Sequence, residues 1–275
     1  MKIDAHQHFW QYDPEKHAWI EDNMSLIRRD FLPEDLWPIF QAHDIDGCVA
    51  VQADQTEAET DFLLSLAEQN DFIKGVVGWV DLRSSRLAER LSHYAEAKKL
   101  VGFRHVVQAE PDVNFLLRED FLRGLAQLQK HDLSYDILIF PHQLGAALEL
   151  TRRLPQQKFV IDHIAKPYIK DGFFDGWATL MRAFGERQNV YCKLSGMLTE
   201  ADWQAWTYEQ LEPYLLCVME TFGPKRLLYG SDWPVCLLAG DYPAGYNAVR
   251  QFIGQLSADE QAAILGQNAV DFYQL

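Results

Sequence analysis

FVIDHIAKP, residues 159 to 167, holds a strand, its end and an abrupt change of chemistry in one short stretch. Phe159, Val160 and Ile161 are the aromatic and β-branched types that suit a pleated, buried surface. Asp162 and His163 follow at once, then Lys166 and Pro167 two residues further on. LLYGSDWPVC, residues 227 to 236, repeats this grammar: an apolar run, Gly230 read as relaxing the backbone, then Asp232 followed by Trp233 and Pro234. Singly, His163 and Asp232 are also what a turn or a helix cap uses. The opening MKIDAHQHFW adds His6 and His8, two apart at the end of a strand, where alternation sends both side chains to the same side.

Working outward from these ends, eight short β-rich segments alternate with helical patterns. They are Lys2 to His8, Gly47 to Gln52, Gly75 to Val80, Val101 to Val107, Tyr135 to Phe140, Lys158 to His163, Val190 to Leu194 and Arg226 to Tyr229. Helical periodicity covers Glu57 to Glu68, Leu87 to Ala97, Asp120 to Lys130, Leu144 to Arg153, Trp177 to Glu186, Tyr208 to Phe222 and Ala258 to Leu265. Strand and helix in alternation predict a parallel sheet in the α/β class. With 275 residues and no long linker, the expected architecture is a closed (β/α)8 TIM barrel forming a single domain over residues 1–275, an open doubly wound sheet being the alternative. Trp10 to Trp37 breaks the rhythm and reads as an extended first βα loop whose tryptophans wall the active-site face, Trp19 among them as a candidate substrate contact, or simply pack on the rim.

Composition narrows the partners. An apolar fraction of 48% with 24% charged residues supports a large core without staples. A net charge of -15, with no dense Lys/Arg block, argues against nucleic acid and anionic membrane surfaces. Cys48, Cys192, Cys217 and Cys236 stand singly, without CxxC spacing, and read as buried, reduced thiols. With neither an apolar signal core at the N-terminus nor a membrane-length apolar run, the expected compartment is the cytoplasm. The tryptophans of the first loop could also serve a homo-oligomer interface.

In a barrel, residues at the C-terminal ends of strands one, six and eight face one pocket, so His6, His8, His163 and Asp232 converge. There Asp232 can act as general base on water and His163 can polarise or protonate an oxygen. Two imidazoles with a carboxylate can also hold a divalent ion. No GxSxG elbow, P-loop or dinucleotide-binding glycine fingerprint is present, which argues against serine-nucleophile, nucleotide-hydrolysing and dinucleotide chemistry.

MKIDAHQHFW, GFRHVVQ at 102–108, IDHIAKP and YGSDWPVC together resemble the amidohydrolase superfamily in its amidohydrolase-2 branch. WQYDPEKHAWI at 10–20, RRDFLPEDL at 28–36 and GWVDL at 78–82 further resemble its sugar lactonases, of the L-fuconolactonase and L-rhamnonolactonase kind. The resemblance implies a hydrolase in which water attacks a lactone carbonyl, a tetrahedral oxyanion forms and the ring oxygen leaves. It implies Asp232 as the base, with His163, His6 and His8 polarising the carbonyl directly or through a metal. One Zn or Mn ion on His6, His8 and Asp232 and a metal-free site are both open. A binuclear centre is not expected, because the fourth strand offers Arg104 and His105 rather than a bridging carboxylate. Arg104, His105, Lys193 and Trp233 are candidate substrate contacts, Arg104 being favoured over His105 because an unbroken strand cannot turn both inward. The rival readings are a decarboxylase or hydrolase of a pyrone or aromatic acid, and a small-molecule-binding barrel without activity.

Overall fold

The computed structural model describes residues 1–275, and its eight strands lie side by side, all parallel, in the order β1 to β8. They span Ile3–Gln7, Gly47–Val51, Ile73–Gly78, Leu100–His105, Ser134–Ile137, Phe159–Ile161, Val190–Leu194 and Leu227–Tyr229. Every expected strand exists, with ends that differ by at most three residues. The differences fall mainly at the C-terminal ends, where His8, Phe140, Asp162 and His163 have already left the sheet for the loops. The cylinder closes between β1 and β8, where Asp232 N donates to His6 O at 2.8 Å and His8 N to Trp233 O at 2.7 Å. Strand order with this closure excludes the open sheet.

The helices are α1 (Pro33–His43), α2 (Glu57–Gln69), α3 (Leu87–His93), α4 (Glu119–Leu128), α5 (Leu144–Arg153), α6 (Asp175–Arg182), α7 (Met197–Glu200), α8 (Tyr208–Phe222), α9 (Tyr242–Ile253), α10 (Ala258–Ala262) and α11 (Asn268–Tyr273). Four of them, α1, α7, α9 and α11, lie outside the helical stretches read from periodicity. Two carry start signals all the same: Pro33 opens α1, and the Asp241 carboxylate caps α9 by accepting from Ala244 N at 2.9 Å. Trp37 therefore belongs to a helix, stacked on Phe72, rather than to the first loop. That loop turns back on itself instead, with Trp10 and Phe31 exchanging backbone hydrogen bonds of 3.0 and 2.9 Å.

Two apolar layers sandwich the barrel wall. Outward-facing side chains such as Phe103, Ile161 and Leu194 pack under the helices, while Ile3, Ala5, Val49, Val51, Val101 and Val160 fill the lower interior. Phe272 and Tyr273 of α11 join that inner layer. All four cysteines are buried free thiols. No helix is long and apolar enough to cross a membrane.

Irregularities in the pairing decide where the polar side chains go. Asp4 pairs with Cys48 but Gln7 with Ala50, so β1 carries one extra residue between them. Such a bulge breaks the two-residue alternation. Ile3 and Ala5 already face inward, and without the bulge His6 and His8 would point to the helices; with it, both enter the barrel. A second bulge, between Leu100 and Gly102 of β4, lets Val101 and then Arg104 face inward.

Candidate active site

Three imidazoles surround one carboxylate oxygen at the C-terminal mouth of the barrel. Asp232 Oδ1 lies 3.3 Å from His8 Nε2 and 3.8 Å from both His6 Nε2 and His163 Nε2. The far nitrogen of each ring is engaged elsewhere. His8 Nδ1 donates to Val51 O at 2.7 Å, which turns Nε2 toward Asp232. His163 Nδ1 meets Ser195 Oγ at 2.9 Å, and His6 Nδ1 lies 3.2 Å from Asp162 Oδ1. Holding a ligand histidine by its other nitrogen fixes both tautomer and ring orientation.

Burial pushes the pKa of His6 and of His163 well below the ordinary imidazole value, outweighing the pull of Asp162 on the first and of Asp232 on the second. Both rings are neutral at pH 7. Asp232 goes the other way: burial would raise its pKa, but the facing His163, the His8 contact and the Lys166 charge together hold it below the ordinary carboxylate value. The pocket thus presents an anion facing the two neutral imidazoles of His6 and His163.

This donor set suits a divalent cation. His6, His8 and Asp232 bring one ligand atom each to within 4.8 Å of one another, and neutral nitrogen plus ionised oxygen is the chemistry Zn or Mn takes. At His6 the ion would replace a hydrogen bond, because Arg104 Nη1 approaches Nε2 at 3.2 Å.

Beneath the mouth lies a layer of charged side chains. Lys193 Nζ contacts Asp136 Oδ2 at 2.5 Å, Asp162 Oδ1 at 3.0 Å and His6 Nδ1 at 3.0 Å. Arg104 reaches Asp162 Oδ2 at 3.2 Å and holds the Gln52 carbonyl and side chain with Nη2. Tyr273 donates to Asp136 Oδ2 at 2.8 Å. Lys193 is below His6 and does not pair with Asp232, and the fork of Arg104 is occupied by the protein's own acceptors. Both cations position His6, and neither is left free to grip substrate.

His105 is not brought to the site. It faces the helical layer, stacked on Phe115 at 4.8 Å and bonded through Nε2 to Glu110 at 2.7 Å, because Arg104 takes the inward position. Trp233 is buried edge-on between Phe9 and Phe31, its face unavailable to a sugar ring. Trp19 stays on the lip, 40% exposed and edge-on to Trp10 at 5.8 Å. Residues missed as site components include Asp162, Asp136 and Gln52. Asp162 had a signal, since alternation from Val160 turns it inward.

The backbone here is strained. His163, Ile164, Ala165 and Lys166 have φ of 53°, 48°, 59° and 48°, and Asp232 has 58°. Left-handed conformation costs a non-glycine residue roughly 1–2 kcal/mol each, so a run of four persists only where its surroundings impose it. Trp177 Nε1 donates to Ile164 O at 2.8 Å inside this turn. Two glycines make room for the histidines. Gly230 does not have a positive φ, contrary to its reading as a backbone relaxer; a Cβ there would lie 2.7 Å from His6 Cβ, so close approach is what it supplies. At Gly196, with φ +63°, a Cβ would stand 2.5 Å from His163 Nδ1. Gly196→Ala is expected to displace His163 and lower kcat about 10- to 100-fold, as a misplacement of about 1 Å does. Turnover alongside thermal melting checks this, and unchanged kcat would detach Gly196 from His163.

Comparison with known proteins adds a lineage to this geometry. Residues 3–275 match the amidohydrolase family. An L-fucono-1,5-lactonase of Burkholderia multivorans is 40% identical over 286 residues, covering 100% of this chain and 96% of its own, and one of Burkholderia ambifaria is 37% identical with the same coverage. Crystal structures of an amidohydrolase from Burkholderia multivorans, one with bound HEPES and one with bound zinc, superpose with TM-scores of 0.97 and 0.96 at 40% identity, covering 100% of this chain and 99% of theirs.

Proposed function

The chain belongs to the amidohydrolase family, and from that membership we propose that it is a sugar lactonase, opening the ring of an L-fucono-type aldonolactone with water. The observation that carries this reading is 40% identity with an L-fucono-1,5-lactonase over the whole of this chain. A lactone is a neutral ester, and its hydrolysis asks for a base at the attacking water and a proton donor at an oxygen of the ester. The mouth of the barrel offers an ionised Asp232 for the first and His163 for the second.

In the mechanism we assign, water lies between Asp232 and the lactone carbonyl carbon. Asp232 takes a proton as the new C–O bond forms and the carbonyl oxygen becomes an oxyanion. Ser195 donates to His163 Nδ1, which puts the ring proton on Nε2, facing the substrate. From there it hydrogen-bonds the oxyanion and protonates the departing ring oxygen as the ring C–O bond breaks, and Asp232, whose Oδ1 lies 3.8 Å from the same nitrogen, returns to it the proton taken from water. The products are a hydroxy-acid carboxylate and one proton released to water. His6 and His8 hold the opposite wall, oriented by Asp162 and by the Val51 carbonyl.

A carboxylate held below its ordinary pKa is a weak base toward water. A Zn or Mn ion on His6, His8 and Asp232 would supply the missing acidity by lowering the pKa of water toward neutrality. Assaying aldonolactones of the L-fucono, L-rhamnono, D- and L-series at neutral pH tests the reading, and L-fucono-type lactone is expected to open fastest. If none opened faster than in buffer, the lactonase reading would be withdrawn. Elemental analysis with chelator treatment tests the metal: stoichiometric metal whose removal abolishes turnover is the expected result, and full activity of metal-free protein would assign the site to hydrogen-bond catalysis.

A further inference from the structure

The left-handed turn after β6 carries two functional side chains, and only His163 at its start has been given a role. Lys166 at its end is raised into the space between the loops that follow β5, β6 and β7. Its Nζ lies 3.1 Å from Glu200 Oε1, at the end of α7, and 5.4 Å from the centre of the Phe140 ring. Lysine and glutamate side chains are 18% and 14% exposed, so this pair sits in the mouth rather than on the outer surface.

The donor arithmetic leaves capacity unused. An ammonium has three N–H donors. Glu200 takes one, and no other protein acceptor engages Nζ. By contrast, the Nη donors of Arg104 go to Asp162, Gln52 and His6, its Nε being sealed in the interior, and Lys193 is held by Asp136, Asp162 and His6. The charge of Lys166 is felt at the reaction centre, for it contributes to the depressed pKa of both His163 and Asp232.

The chemistry supplies a ligand. Ring opening turns a neutral ester into a carboxylate beside the fixed anion of Asp232, in a chain of net charge -15. Repulsion there raises the energy of the transition state, in which the negative charge is already developing, as well as that of the product. Resting on the lactonase reading, we infer that Lys166 is a substrate-binding residue that receives this charge, its ammonium held by Glu200 at the mouth and its two free donors directed to the nascent carboxylate. The strained turn is what raises both groups together, His163 to the oxygen that receives the proton and Lys166 to the side where the anion forms.

Lys166→Gln, Lys166→Arg and wild type are compared by lactone kinetics and by calorimetric titration of the matching aldonate and of its uncharged alditol. Lys166→Gln is expected to weaken aldonate binding and lower kcat, each about tenfold or more, while KM for the neutral lactone and alditol affinity stay within about twofold. Lys166→Arg, which keeps the charge, is expected to bind aldonate within about threefold of wild type. Aldonate affinity of Lys166→Gln within about twofold of wild type, or an equal loss of alditol affinity, would overturn the assignment. Should that variant not fold, Glu200→Gln asks the same question with the opposite sign, since relief of the competing carboxylate is expected to tighten aldonate binding about twofold or more, and no tightening would overturn it. The titrations need no turnover. A wild type that opens no lactone would therefore bring down the lactonase reading, while aldonate binding still decides Lys166.

Discussion

Asp232→Asn is expected to lower kcat by about three orders of magnitude while leaving the barrel folded. The fold survives because the backbone at this position, rather than the carboxylate, stitches β8 to β1: Asp232 N donates to His6 O at 2.8 Å whatever the side chain. An amide also fills the same volume among three imidazoles. What disappears is the negative charge on which three Nε2 atoms converge within 3.8 Å, and with it both proton acceptance from water and one anionic ligand for a divalent cation. Two measurements separate these losses. Bound metal per chain reports the ligand role, and turnover with metal held in excess reports the base. A kcat within about tenfold of wild type under saturating metal would remove Asp232 from the base role.

The strand ends were legible in the sequence, but the interior beneath them was not. Val160 followed by Asp162 and His163 announces a buried strand that ends in polar side chains, and the same reading places His6, His8 and Asp232 at one mouth, where the structure brings them together. The side chains between strand and mouth were harder. Period-two alternation places His6 and His8 on one side, as observed, yet that side is the interior only because β1 carries a bulge after Asp4, and a bulge leaves no mark in the pattern of residue types. Lys193 and Arg104 resemble substrate contacts because each is a cation at the end of an apolar strand. Their partners, Asp136 and Asp162, come from β5 and the end of β6, and only the closed cylinder brings these together. Trp233 was misread for a related reason. Its neighbours Phe9 and Phe31 approach through closure of β1 on β8 and through the first loop folding back, neither of which is local in sequence.

That charged layer leads to the other large effect: Asp162→Ala is expected to cost about 3–5 kcal/mol of stability, the range for breaking a buried ionic group by removing one partner. Asp162 is fully buried, and Lys193 Nζ at 3.0 Å and Arg104 Nη1 at 3.2 Å both direct positive charge at it. Burial alone would raise its pKa. The Lys193 charge, His6 and Arg104 reverse this and drive it well below the ordinary carboxylate range. A carboxyl whose pKa falls on folding contributes stability above its unfolded value, and loses it as pH falls through the folded one, so the contribution is complete at neutral pH. Without Asp162, Lys193 keeps only Asp136, whose own pKa burial has raised to about 6, and Arg104 has no carboxylate partner. Urea melts of wild type, Asp162→Ala, Lys193→Met and the double variant check this as a cycle. The double variant is expected to recover part of the loss, because it removes the stranded cation together with its partner. Turnover is expected to stay low in it, since His6 Nδ1 has lost both groups beside it, Asp162 Oδ1 at 3.2 Å and Lys193 Nζ at 3.0 Å, and with them what orients the ring. Asp162→Ala melting within about 1 kcal/mol of wild type would show that the layer is not held together by charge pairing. Full turnover in the double variant would show that Nε2 of His6 faces Asp232 without help from beneath.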